Sequence, residues 1–153
     1  MSLFPSEQSE RIYMSRNPNG DPFSYDGSRD TQLEIIGLLL WATEGDKTQL
    51  SLANGNPAII KKYLEFLRII CQFNESRIKA VIHCHDSVPY KQCLSYWSSV
   101  TNIPPNRFNK PYIKPDKGGT RSFPHGIVRV VATNTKLNLH FRNRLAALHL
   151  PVD

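Results

Sequence analysis

An apolar run, LEIIGLLLWATEG, occupies residues 33–45 near the start of the chain. It is too short to cross a bilayer, which needs about 20 apolar residues, but it is long enough for a core helix. Asp30 or Thr31 can cap the start of this helix, and Gly45 can end it. At the helical period, one face carries Leu33, Ile36, Gly37, Leu40 and Glu44. The pattern predicts a helix over residues 31–44 that ends in a single acid.

The later elements follow from alternation and from amphipathic periodicity. Strands are predicted at residues 48–53, 77–85, 108–114 and 126–133. Helices are predicted at residues 57–71, 87–101 and 136–148. Asn56 and Pro57 mark the start of the first of these, because they supply an N-cap followed by proline at the first helical position.

This order predicts an α+β fold with a mostly antiparallel, four-stranded sheet and helices packed on one face. Residues 1–30 are rich in Ser, Pro, Gly, Asn and Asp, and they hold too little apolar content for a core of their own. They are therefore predicted to form an extended N-terminal arm, with at most a short helix near residues 9–14. Residues 31–150 then form the domain.

The face of the sheet that the helices leave open is predicted to collect polar and basic side chains. These are Lys47, Gln49, Lys79, His83, Lys110, Tyr112, Lys114 and Arg129. The loop over residues 115–124 adds Lys117 and Arg121, either as phosphate contacts or as part of a hairpin turn. A face of cations, amides and an aromatic ring is typical of nucleic-acid binding. The alternative is a solvated face whose lysines discourage edge-to-edge pairing.

Composition agrees with an acidic partner. Lys and Arg number 19 against 13 for Asp and Glu, which gives a net charge of +6 and a pI near 9.4. The start of the chain is not typical of a secretory signal, and none of the three cysteines is in a C-x-x-C pair, so a reducing, cytoplasmic location is expected. No membrane association is predicted.

Zinc binding and nucleotide binding have weaker support in the sequence. The segment from His83 to Asp86 reads HCHD, which suggests zinc, but the spacing of a zinc finger is missing. The alternative is a strand with a buried Cys84 and two polar-face histidines. There is no glycine-rich nucleotide-binding loop of either common type in the sequence.

Residues 37–45, GLLLWATEG, resemble the LAGLIDADG motif of homing endonucleases. Leu40 matches the fourth motif position, Glu44 the last acid and Gly45 the final glycine. The similarity continues through the lead-in NPNGDPF, the Asn-Pro helix start, RIKAVIHCHD, the helix with Trp97, NRFNKPYIKP and GIVRVVATNT. Over residues 15–149 the chain is therefore similar to a divergent prokaryotic branch of this superfamily, with one motif per chain.

The resemblance implies a homodimer that binds double-stranded DNA and cleaves it with Mg²⁺. Glu44 then ligates the metal as a catalytic residue, one from each of two copies, because a chain with one motif supplies one acid. Lys114 resembles the basic sheet residue near the active site of these enzymes and is the second predicted catalytic residue. The predicted dimer interface is the motif helix, through Leu33, Ile36, Gly37, Leu40 and Trp41.

Three departures from the motif leave alternatives open. Leu38 and Leu39 stand where the family has small residues, and Glu44 is one methylene longer than the usual aspartate. Because geometry errors of about 1 Å can cost around 100-fold in rate, these changes bear on cleavage more than on binding. The alternatives are a non-catalytic DNA-binding regulator of the same fold, an RNA-binding intron maturase, and a fold without nucleic-acid function. Taken alone, Glu44 is also compatible with a solvated residue in the last turn of a helix.

Overall fold

The computed structural model describes residues 23–118 and 123–150. Its α-helices are α1 (Thr31–Glu44), α2 (Pro57–Glu65), α3 (Tyr90–Thr101) and α4 (Thr135–Ala147). Its strands are β1 (Leu52–Asn54), β2 (Lys79–His85), β3 (Tyr112–Lys114) and β4 (Ile127–Val131). A wide helical turn, Phe66–Ile70, continues α2, and the short helix expected near residues 9–14 lies outside the described residues.

The four strands form one mixed sheet in the order β1-β4-β2-β3. β4 pairs antiparallel with both β1 and β2, whereas β3 pairs parallel with β2. The parallel pair arises because α3 carries the chain back between β2 and β3. The predicted α+β class is therefore confirmed, with a sheet that is mixed. Since β2 lies between β3 and β4, these two strands do not form a hairpin with each other.

The helices cover one face of this sheet. Along the two central strands the buried side chains are Ala80, Ile82, Cys84, Val128 and Val130. They share one core with aromatic and aliphatic residues from all four helices. The intervening residues of both strands are half-buried or exposed, so the opposite face is open. Among the described helices, none is both long and apolar enough to traverse a bilayer.

Helix α1 has the predicted bounds. The Leu33 amide donates to the Asp30 carboxylate at 2.9 Å, which caps the start, and the Gly45 amide donates to the Trp41 carbonyl at 3.0 Å. Its buried face is rotated from the predicted one, however, because Glu34 and Leu38 are buried. Ile36 and Leu40 are only half-buried, and Ile35 and Leu39 are exposed.

Three of the five predicted dimer-interface residues lie inside their own chain. Leu33 and Trp41 are core residues, and a β-carbon on Gly37 would overlap the Phe66 ring. Trp41 also donates its ring N–H to the Gln49 carbonyl at 2.8 Å. The prediction that Leu33, Gly37 and Trp41 contact a second copy is wrong, since the core that the chain builds for itself already surrounds them.

The first strand is shorter than predicted because a turn precedes it. The Asp46 carboxylate accepts from the Thr48 amide at 3.0 Å and from the Thr48 hydroxyl at 2.7 Å. This side-chain-to-backbone pairing holds residues 46–49 in a turn, so β1 begins only at Leu52. The turn rests on α4, where Arg142 donates to the carbonyl of Lys47.

A buried ion pair joins the end of the arm to α1 and α4. Arg144 donates to both carboxylate oxygens of Glu34, at 2.9 and 2.7 Å, and the Tyr25 hydroxyl donates to one of them at 2.5 Å. Burial raises the pKa of Glu34, but the hydrogen bonds from Arg144 and Tyr25 outweigh it and leave that pKa below its usual value. Residues 23–30, predicted as part of an extended arm, thus pack against the domain through Phe23 and Tyr25.

We expect this ion pair to make stability depend on pH. A group whose pKa is lowered by folding stabilises the protein above its unfolded pKa, about 4.3 for glutamate, and loses that contribution as the pH falls through the folded pKa. Glu34→Gln should cost about 2 kcal/mol in the free energy of unfolding at pH 7, and less below about pH 4. Urea unfolding of the wild type and the variant at both pH values measures the difference in the free energy of unfolding.

Glu65→Gln is the matched control. Glu65 pairs with Lys62 at 3.1 Å on the surface, where an ion pair contributes about 0–1 kcal/mol. A cost for Glu34→Gln that is the same at every pH would show that the charge of Glu34 does not stabilise the fold.

Candidate nucleic-acid interface

The open face of the sheet brings together side chains from three strands. His83 on β2 is in register with Tyr112 on β3 and with Ile127 on β4. These three residues form a central row across the sheet. The row on one side contains Arg129, opposite Val81, and the row on the other contains Lys114, opposite His85. Since residues two apart along a strand are about 7 Å apart, one cation lies on each side of the central row.

Two rings stack within the central row. The ring centroids of His83 and Tyr112 are 4.8 Å apart, and their planes differ by 22°. Partial burial, together with the positive charges of Lys114 and Arg129, lowers the pKa of His83. This shift favours the neutral imidazole, so the positive charge of the face comes from lysine and arginine.

One carboxylate reaches this face from the end of α1. The Asp46 carboxylate lies 3.3 Å from the Arg129 guanidinium. Hydrogen bonds from Thr48, with the charges of Arg129 and Lys47, hold the pKa of Asp46 below its usual range. Asp46 therefore offsets part of the charge of Arg129, while the nitrogen of Lys114 has no such ion pair among the described residues.

The structure brings together only part of the predicted basic set. His83, Tyr112, Lys114 and Arg129 form one cluster, with Lys79 exposed farther along β2. Lys110 and Lys117 are exposed but lie before and after the three residues of β3. Arg121 lies outside the described residues.

The predicted positions of Lys47 and Gln49 on the open face are corrected. Both residues precede β1, in the turn that Asp46 closes. The ammonium of Lys47 donates to the Gly45 carbonyl at 3.2 Å, and the side-chain oxygen of Gln49 accepts from the Ser51 hydroxyl at 3.0 Å. The alternation of polar and apolar residues predicts a strand here, because such a pattern gives no sign of the turn that the Asp46 side chain forms with the backbone of Thr48.

Glu44 lies exposed at the last residue of α1. Within the described ranges, no group of three or more His, Cys, Asp or Glu residues is arranged to hold a metal ion. Mg²⁺ takes several oxygen ligands, and one chain offers Glu44 as a single carboxylate. One chain therefore offers only half of the predicted magnesium site, which needs Glu44 of a second copy. The HCHD segment fails the same test, since Cys84 points into the core while both histidines lie on the other face of β2.

Sequence reasoning missed two members of this surface. Ile127 is predicted only as part of a strand, with no role in binding, yet its side chain is 37% exposed in the central row. Asp46 has no predicted role, although its carboxylate lies beside Arg129. The sequence DKT, an aspartate two residues before a threonine, is the signal that indicates a turn here.

A second polar cluster lies at a cleft lined by Tyr25, Thr31, Glu34, His140 and Arg144. Its carboxylate already accepts from an arginine and a tyrosine, so the cluster holds chain segments together. For this reason the open sheet face is the better candidate for binding a partner.

Comparisons with protein-family models, with curated proteins and with solved structures find no match for this chain. The similarity to LAGLIDADG proteins therefore rests on the motif residues and on the order of the elements. It stays a hypothesis, as do the functions that it implies.

Proposed function

We propose that this chain binds DNA through the open face of its sheet. The observation that carries the proposal is the cluster of His83, Tyr112, Lys114 and Arg129, contributed by three strands to one surface. Lysine and arginine provide the attraction to phosphates that dominates nucleic-acid affinity. A net charge of +6 supports the same partner.

Binding without cleavage is the form of this function that the site supports best. One chain offers the exposed acid Glu44 at the end of α1, and the described parts of the chain hold no group of three or more His, Cys, Asp or Glu residues arranged to hold a metal ion. Three of the five residues that the resemblance assigns to dimerisation are buried in the core of their own chain. Double-stranded DNA as the target, endonuclease activity and a cytoplasmic location stay predictions.

The charge of the open face can be tested by substitution. Lys114→Gln and Arg129→Gln should each weaken binding to a labelled DNA duplex and reduce the slope of log affinity against log salt by about 1, because each removes one phosphate contact. Asp46→Asn should strengthen binding, since it keeps the oxygen that accepts from Thr48 but removes a negative charge beside Arg129. Fluorescence anisotropy across a salt series measures all three.

Lys61→Gln is the matched control, because Lys61 is an exposed lysine on α2, over the covered face. It should leave affinity and slope nearly unchanged. Equal losses for Lys61→Gln and Lys114→Gln, or an affinity independent of salt, would remove the assignment of binding to this face.

The predicted cleavage has its own test. If the resemblance extends to activity, the wild-type chain nicks supercoiled plasmid in Mg²⁺, and Glu44→Gln abolishes nicking. The same substitution should leave DNA affinity unchanged or stronger, because it removes one negative charge. Glu65→Gln, at an exposed acid on α2, serves as the control. Nicking that persists in Glu44→Gln would contradict the role of Glu44, and a wild type that never nicks supports binding alone.

A homodimer, if formed through α1, must use a different face from the predicted one. We propose the exposed stripe that contains Ile35, 44% exposed, and Leu39, 39% exposed, with Ile36 and Leu40 beside them. An apolar stripe of this kind favours packing against the same stripe of a second copy. Ile36 and Leu40 thus remain candidate interface residues.

Light scattering at micromolar concentration tests this interface. Leu39→Glu should convert a dimer to a monomer, because it places a charge at the centre of the stripe. Leu139→Glu is the control, since Leu139 is 45% exposed on α4. A wild-type monomer, or equal effects of the two substitutions, would show that the stripe is not a dimer interface.

A further inference from the structure

The central row has a composition that phosphate binding does not explain. Tyr112 is 62% exposed and Ile127 is 37% exposed, and between them lies the ring of His83. Phosphate binding uses little of this surface, because the surface offers at most the hydrogen bonds of one hydroxyl and one imidazole, and its apolar area is best covered by another apolar surface. The row therefore fits a flat, uncharged group with an aromatic face.

The surroundings of the row indicate what carries that group. Arg129 lies in the row on one side and Lys114 in the row on the other. A ligand that covers the rings and reaches both cations has an aromatic ring between two anionic groups. A nucleotide within a strand has this arrangement, because its base stands between the phosphates on either side.

The accessibility of the base separates a single strand from a duplex. In a duplex both faces of each base are covered by neighbouring base pairs, so an exposed ring cannot stack on one. An unpaired base leaves a face free, and stacking on an aromatic side chain contributes about 1–3 kcal/mol per base. A tyrosine on an open sheet is also one of the platforms on which single strands stack their bases.

We infer that the central row of Tyr112, His83 and Ile127 is a stacking platform for one unpaired base of a DNA strand: the base stacks on the face of the Tyr112 ring that His83 leaves free, and its flanking phosphates bind Lys114 and Arg129. The inference rests on the proposed function and narrows its ligand to a strand with an unpaired base. The lowered pKa of His83 agrees with it, because it favours an uncharged imidazole against the phenol ring, while the cations stay at the sides of the row.

The experiment compares a fluorescein-labelled single-stranded DNA with its duplex by anisotropy. The wild type should bind the single strand more tightly than the duplex at the same salt concentration. Tyr112→Ala should weaken binding of the single strand by about fivefold or more, and it should weaken duplex binding by a smaller factor, because only the unpaired base stacks on the ring. Tyr112→Phe should retain the affinity, because the ring provides the stacking and the hydroxyl does not.

Lys114→Gln distinguishes DNA binding by the open face from base stacking on the central row. It should weaken binding of both probes, because both carry phosphates. If it weakens both while Tyr112→Ala weakens single-strand binding no more than duplex binding, the face binds DNA but the platform is wrong. If neither probe binds the wild type, the proposed function itself is wrong.

Photocrosslinking locates the base independently of affinity. A single strand with one 5-iodouracil should crosslink to Tyr112 or His83, as identified by mass spectrometry. Crosslinks confined to other parts of the chain would overturn the inference. Because Tyr112 is largely exposed on a strand at the edge of the sheet, its substitution should leave the unfolding transition unchanged, and urea unfolding verifies this.

Discussion

The burial of one face of α1 within its own chain is the constraint on which the rest of the structure depends. Gly37 lets this helix approach the Phe66 ring, and Trp41 packs edge-on against Phe141 at 5.3 Å between ring centroids. This packing fixes the rotation of the helix. It places Glu34 inside, where Arg144 reaches it, and it leaves Glu44 in solvent at the last turn. A helix held in this way has no face of small residues left for a close helix pair.

The sequence predicts the helices well because caps and periodicity are local properties. Asp30 and Gly45 set the ends of α1, and Asn56 with Pro57 set the start of α2. The rotation of α1 could not be predicted, because nearly every position in its centre is apolar. In such a run the choice of buried face depends on distant partners, among them Phe66 and Arg144. No pattern within the helix reveals those partners.

In the candidate site, too, local patterns predict some features and tertiary contacts decide the others. Alternation along β2 and β4 correctly assigns His83 and Arg129 to the open face, since side-chain direction in a strand has a period of two. The position of Tyr112 beside His83 depends on a parallel pairing, which α3 creates and which no local pattern specifies. Two predicted members, Lys47 and Gln49, lie in a turn instead of the strand, because the Asp46 carboxylate accepts a hydrogen bond from the backbone amide of Thr48. Local chemistry therefore predicts faces, whereas tertiary pairing decides which faces meet.

The shortness of β3 has a consequence for self-association. This strand pairs on one side only, and an unpaired strand edge beside exposed aromatic and aliphatic side chains is a template for adding further strands. Here Pro111 precedes the three residues of the strand and Pro115 follows them. Proline has no amide hydrogen to donate, so another chain finds only a few backbone groups to pair with. The molecule can therefore expose aromatic and aliphatic side chains at the edge of its sheet, while few backbone N–H and C=O groups there are free to pair with a strand of another chain.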